Sequence, residues 1–140
     1  GGSLVALPVR SAERLFPGLE SVLEGSDLLL AIPDSAIYNS SNIRNILLTS
    51  YRKNVPLIGL SQSYVNAGAL CAVFSTTEQM AEQAGAAVIS FSRNRRLPGT
   101  QYPADFTIAV NQQVARSLGI DLPSVETIRS QMGKTRKWDK

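Results

Sequence analysis

Residues 27–33 read DLLLAIP and residues 55–60 read VPLIGL. Each is a short apolar run bounded by turn residues, with Gly25 ahead of the first and Pro33 closing it. Such a run suits a strand buried on both faces. Between the two runs, Ile43, Leu47 and Tyr51 recur at helical spacing, with Ile46 and Leu48 beside them. Ser40 and Ser41 offer N-caps, and Arg52 and Lys53 fall in the last turn, where positive charge complements the helix dipole. The stretch 27–60 therefore predicts strand, helix, strand, and hence parallel pairing through a helical crossover.

The same alternation continues outward. Residues 4–9 (LVALPV) predict a strand, with Pro8 assigning it to a sheet edge. Residues 11–24 predict a helix with Leu15, Leu19, Val22 and Leu23 on one face. Pro17 is expected to delay or kink that helix, and Gly25 to stop it. Toward the C-terminus come a polar loop at 61–68 and a third apolar run at 69–74 (ALCAVF). Ser75-Thr76-Thr77-Glu78 has the capping-box pattern and opens a helix that runs to about Ser92, with Met80, Ala84, Val88 and Phe91 as its stripe. After a Pro/Gly loop at 97–103, residues 106–110 form the last strand. Asn111 caps a short helix with Val114, Ala115 and Leu118, and Gly119 ends it. Beyond Pro123 the reading is a short helix at most. The order predicts a three-layer α/β fold, a mostly parallel sheet with helices on both faces. Residues 1–123 are expected to form the α/β lobe and residues 124–140 a basic tail.

Composition narrows the chemistry. At 44% hydrophobic and 18% charged the chain is globular rather than disordered. There is no His, which excludes Ser-His-Asp triads, Cys-His dyads and His-ligated zinc. The single Cys71 makes no internal disulfide or Cys-rich metal site, and its place in an apolar strand reads as inert core. No cofactor and no metal site is expected. The formal charge of +3 is a tail property: residues 126–140 hold five basic residues against two acidic, and residues 1–125 hold nine of each. Lys134-Thr135-Arg136-Lys137-Trp138 and the cluster Arg93, Arg95, Arg96 read as solvated ends, so no nucleic-acid partner is expected. No run approaches the ~20 residues of a membrane span, and no signal peptide is visible. Gly1-Gly2-Ser3 fits either an appended leader or a native loop.

In an open parallel sheet, ligands bind beyond the carboxyl ends of the strands. That rule selects Asp34 and Ser35 after the first buried run, and Ser61 and Gln62 after the second. It also selects Ala67 and Gly68 ahead of the third run, and Thr76 after it. Asp34 either pairs with a ligand ammonium or bonds its own turn. Ser61 and Gln62 either donate to a ligand or simply make the loop polar. Gly68 permits close backbone approach or a positive-φ turn. Thr76 is an N-cap, at a helix start that also attracts anions. No phosphate-binding glycine motif is present. Asn39-Ser40-Ser41 is formally a glycosylation sequon of the kind that arises by chance.

Residues 28–123, about two thirds of the chain, resemble the C-terminal part of type I periplasmic solute-binding proteins of ABC transporters. The nearest group includes the tryptophan-type and related uncharacterised substrate-binding proteins. The resemblance is carried by Ala31-Ile32-Pro33-Asp34-Ser35, Val55-Pro56-Leu57-Ile58-Gly59 and Val65-Asn66-Ala67-Gly68-Ala69-Leu70. It continues through the helix at 78–85, Thr107-Ile108-Ala109-Val110-Asn111, and Val114-Ala115-Arg116-Ser117-Leu118-Gly119-Ile120. It implies two hinged lobes closing on a small polar solute, an amino acid or similar. Asp34-Ser35, Ser61-Gln62 and Ala67-Gly68 would be this lobe's share of the site. Relatives that bind amino acids often carry an Asp near the start of the helix after Phe74, where this chain has Ser75-Thr76-Thr77; Asp34 is left to serve an ammonium.

The resemblance also implies an ABC permease as partner and a periplasmic or lipoprotein location. It further implies an N-terminal lobe, and a strand–helix unit ahead of residue 4, that the sequence does not contain. The expectation is a lobe that repairs its sheet by forming a homodimer or swapping, with weak solute affinity of its own. Two other readings stand beside it. One is a ligand-sensing domain of the same fold in a regulator or receptor. The other is an enzyme on a flavodoxin-like or Rossmann-like sheet, disfavoured by the lack of His, paired carboxylates and a phosphate loop.

Overall fold

The structure, a computed structural model, describes residues 2–9 and 11–134. The elements run α1 (Leu15–Leu23), β1 (Leu29–Leu30), α2 (Ile43–Arg52), β2 (Leu57–Gly59), α3 (Gln62–Ala67) and β3 (Cys71–Phe74). They continue with α4 (Thr77–Asn94), β4 (Thr107–Val110), α5 (Gln112–Ser117) and α6 (Val125–Lys134). The strands form one mixed sheet in the order β1-β2-β3-β4, an α/β fold. β1, β2 and β3 are parallel, in register through Leu29 with Leu57 and Ile58 with Cys71. β4 is antiparallel to β3, pairing Phe74 with Thr107 and Cys71 with Val110. The direction of β4 follows from the connection. α4 and the loop after it bring the chain back to the end of the sheet where β3 finished.

Apolar spacing accounts for the main core. Leu19 and Leu23 of α1, and Ile46 and Leu47 of α2, pack with Leu29, Ala31 and Leu57 of the sheet. Ser50, buried in α2, donates its hydroxyl to the Val55 carbonyl; Asn54, at φ 56°, turns the chain between them. α1 is entered through a 3-10 turn (Ala12–Arg14), and Pro17 sits in its first turn, where a missing N–H costs nothing. Pro17 thus goes with a delayed start at Leu15. Asn111 accepts from the N–H groups of Gln113 and Val114 at 3.1 Å, and Gly119, at φ 67°, follows α5.

Four expectations need correction. Residues 4–9 carry no ladder pairing; residues 4–8 lie exposed and Val9 is half-buried beside Gly18 of α1. Residues 27–32 are not buried on both faces. Leu29 and Ala31 are buried, but Leu28, Leu30 and Ile32 are 51%, 54% and 58% exposed, because β1 is an edge strand and only one of its faces meets α1 and α2. Residues 62–67 are helix rather than loop. Ser61 is extended, Val65 is buried against Ala72 and Ala109, and Gln62 bonds Asn66 one turn on at 2.9 Å. The capping box sits one residue later than the sequence pattern placed it, on Thr76 and Gln79.

α4 runs on to Asn94, and Arg95 closes it at φ 57°. It has no buried side chain. Among the described residues no helix is long and apolar enough to cross a membrane. Gly1, Arg10 and residues 135–140, which hold three of the five basic residues of the expected tail, lie outside the described residues.

Candidate functional site

Three parallel strands set their carboxyl ends at one edge of the sheet. β4, being antiparallel, begins there too. Asp34-Ser35, Ser61-Gln62 and Ser75-Thr76 all follow strand ends and so share this edge with Asp105, which precedes β4.

The β1 turn is built by side chains on backbone. Asp34 Oδ1 accepts from the Ala36 N–H at 2.9 Å, and the Asp34 carbonyl accepts from the Tyr38 N–H at 2.7 Å. Asp34 therefore bonds its own turn through one oxygen while remaining exposed. Asn39 donates its amide to the Ser35 carbonyl at 3.0 Å and accepts from the N–H groups of Ser41 and Asn42 at 3.1 Å. Asn42 in turn donates to the Ile37 carbonyl at 3.2 Å. These two amides fix the loop that presents Tyr38.

Tyr38 faces Tyr64 of α3, with ring centroids 6.4 Å apart and planes tilted by 50°. Burial, and secondarily the neighbouring Tyr64, push the Tyr38 phenol above its ordinary pKa, so it stays a neutral hydroxyl at physiological pH. Ser61, half-buried ahead of α3, makes no side-chain cap bond.

The β3–β4 half of the edge is knitted across strands. The Thr76 hydroxyl accepts from the Gln79 N–H at 3.2 Å, and the Gln79 side chain accepts from the Thr76 N–H at 2.9 Å. Gln79 also donates to Asp105 Oδ2 at 2.9 Å, and Ser75 donates to the Asp105 carbonyl at 3.0 Å. Arg129 of α6 pairs with Asp105 Oδ1 at 3.1 Å, donates to the Phe106 carbonyl, and lies 5.0 Å from the centre of the Phe106 ring. The Phe106 N–H first, and then Arg129, hold the Asp105 carboxyl below its usual range.

The edge thus gathers Asp34, Ser35, Ser61, Gln62 and Thr76. Ala67 and Gly68 lie elsewhere. α3 crosses the sheet, so its end adjoins the amino end of β2, where the Leu70 N–H donates to the Leu57 carbonyl at 2.8 Å. Gly68 neighbours Val55, Pro56, Val114 and Leu118 there. At φ 121° it serves the turn that ends α3.

Tyr38, Tyr64, Asn42, Gln79 and Asp105 carried no motif, and Asn39 stood out only through the chance sequon. The one sequence clue is Gly59, five residues before Tyr64. Chemically the edge offers hydroxyls, amides and one carboxylate with an oxygen to spare, a set suited to hydrogen-bonding a polar molecule. Among the described residues no group of three His, Cys, Asp or Glu could hold a metal ion. Cys71 is half-buried, and burial pushes its thiol up, which disfavours a reactive thiolate.

No family model matches the chain, and no curated protein matches it. Among solved structures, it is similar to a conserved domain protein from Vibrio cholerae O1 biovar El Tor, with a TM-score of 0.60 and 21% identity over 86% of this chain and 41% of that one. It is similar to an ABC domain in complex with L-Trp from Streptococcus pneumonia, with a TM-score of 0.59 and 15% identity over 86% and 41%. It is also similar to the ligand-free, open structure of a substrate binding protein with adhesive properties from Clostridium difficile, with a TM-score of 0.64 and 18% identity over 84% and 40%. The likeness shows a shared fold. The chain spans about two fifths of the length of each of these proteins.

Proposed function

We propose that the chain is a ligand-binding lobe of an ABC-transporter solute-binding protein, non-enzymatic and holding a small polar solute at the carboxyl edge of its sheet. The observation that carries this reading is the convergence of Asp34, Ser35, Ser61, Gln62 and Thr76 on one edge, in a fold shared with substrate-binding proteins. Asp34 serves an ammonium or hydroxyl, and Ser61 and Gln62 donate, beside the Tyr38–Tyr64 ring pair that packs on the core. The solute is an amino acid or similar, shared with a second lobe that closes about a hinge before delivery to a permease outside the cytoplasm. Residues 1–123 make the lobe. Residues 124–140 are its basic tail, of which α6 is tied back to Asp105 through Arg129.

One lobe supplies only half the contacts, so affinity is weak and is best read by NMR. The 140-residue chain is titrated to millimolar levels with single amino acids, L-tryptophan among them, and with small sugars. Shifts confined to the amides of residues 34–38 and 61–64 are expected with at least one solute. Shifts confined to other regions, or none with any solute, overturn the reading.

A further inference from the structure

We propose that Arg129 is a positioning residue that works through Asp105 and Gln79 on Thr76, so that docking of α6 holds the β3 end of the sheet edge in shape. The relay is a chain of directional bonds. It starts from a planar guanidinium with both arms in use. One arm pairs with Asp105 Oδ1 at 3.1 Å, the other donates to the Phe106 carbonyl, and the guanidinium carbon lies 5.0 Å from the centre of the Phe106 ring. A point charge such as an ammonium could meet the first of these contacts but not all three.

Asp105 carries the effect across the strand end. Its Oδ1 also accepts from the Phe106 N–H at 2.8 Å, and its Oδ2 takes the Gln79 amide at 2.9 Å. A carboxylate only accepts, so it decides which end of that amide faces it. With Nε2 turned to Asp105, Gln79 Oε1 meets the Thr76 N–H at 2.9 Å and the Thr107 hydroxyl at 3.3 Å. The reversed amide would set donor against donor at Thr76. Gln79 also closes the capping box by donating its own N–H to the Thr76 hydroxyl at 3.2 Å. Once Asp105 is released, the Gln79 side chain is free to rotate, and the Thr76 N–H loses its acceptor.

α6 is suited to exert this control reversibly. Among its described side chains none is buried; Val125 and Ile128 are half-buried, and the helix meets the body at β4. Elements held by so little burial open locally at low free energy. That Thr76 belongs to a solute edge rests on the function proposed above. The relay itself does not, and its test contains no solute.

Amide hydrogen exchange and NMR of the 140-residue chain test the relay. Arg129→Ala speeds exchange of the Thr76 amide by ~5-fold or more, while the amides of β3 keep their rates. In the same variant the Gln79 side-chain amide resonance moves toward that of an exposed Gln. In an Asp105→Ala background Thr76 already exchanges fast, and adding Arg129→Ala changes its rate by less than about twofold. If Arg129→Ala also loosens β3, Arg129→Gln stands in for it. An unchanged Thr76 rate in Arg129→Ala overturns the proposal. So does an effect of the same size with and without Asp105, or loosening of β3 in both Arg129 variants.

Discussion

A Cβ atom placed on Gly59 would lie 2.5 Å from the Cβ of Tyr64, closer than two such atoms ever sit. The last residue of β2 and the aromatic of α3 are therefore fitted to each other, and Tyr38 completes the pair of rings above them. Gly59→Ala is expected to push α3 off the sheet end and cost about 1–3 kcal/mol, the usual range for overpacking. Urea denaturation reads the loss. A variant as stable as the parent would show that Tyr64 moves aside freely.

Asp34 has two separable roles. Asp34→Asn keeps an acceptor for the Ala36 N–H, so the turn should hold and the melting temperature change little. Asp34→Ala loses that exposed bond, costing about 1 kcal/mol or less. Both variants should lose the NMR response to a solute bearing an ammonium group. A response that persists in Asp34→Asn would assign the carboxylate to the turn alone.

Asp105 should make stability fall in acid. Its carboxyl is held below the ordinary range in the folded chain, chiefly by the Phe106 N–H and Arg129. Its stabilising contribution is complete above the unfolded Asp pKa of about 4 and is lost as pH falls through the lower folded value. The stability gap between the parent and Asp105→Asn should be constant near neutrality and narrow below about pH 4. A gap that is flat across the whole range would remove Asp105 from the acid response.

Thr76→Ala removes a cap from a helix that contributes nothing to the core. The cost, about 1 kcal/mol for such a cap, should appear locally. Amides at the start of α4 should exchange faster, while those of β3 keep their protection. Equal loosening of both would show that α4 and the sheet unfold as one unit.

Much of this architecture was legible because burial leaves a periodic mark. The runs holding Leu29, Leu57 and Ala72 and the cap at Asn111 were readable; α2 was found, but its buried face is Ile46, Leu47 and Ser50 rather than the stripe of Ile43, Leu47 and Tyr51, with Tyr51 left exposed. α3 was not, because its six residues bury only Val65, too little for any period to register. The direction of β4 was hidden as well, since composition does not record which end of a sheet a connection returns to. The exposure of Leu30 and Ile32 eluded the reading because an apolar run looks the same whether its outer face is covered or bare. Polarity at strand ends picked out Asp34, Ser35, Ser61, Gln62 and Thr76, which the fold sets along one sheet edge. The same criterion misplaced Gly68, which precedes a strand instead of following one. Tyr38 and Tyr64 meet only in three dimensions, through a loop held by Asn39 and Asn42.

The antiparallel pairing of β3 with β4 has a kinetic consequence. β1 to β3 assemble through neighbouring crossovers, whereas β4 must close a loop that contains all of α4 and the Pro/Gly segment. Chain entropy opposes that closure. Gln83 holds both the Tyr102 carbonyl and the Ala104 N–H, and Gln79 holds Asp105, so the returning chain is tethered along α4 before it reaches β3. α4 thus serves as a guide rail: in the folded chain the segment returning to β4 is held along it by two glutamines, which shortens the free stretch between the helix and its final strand.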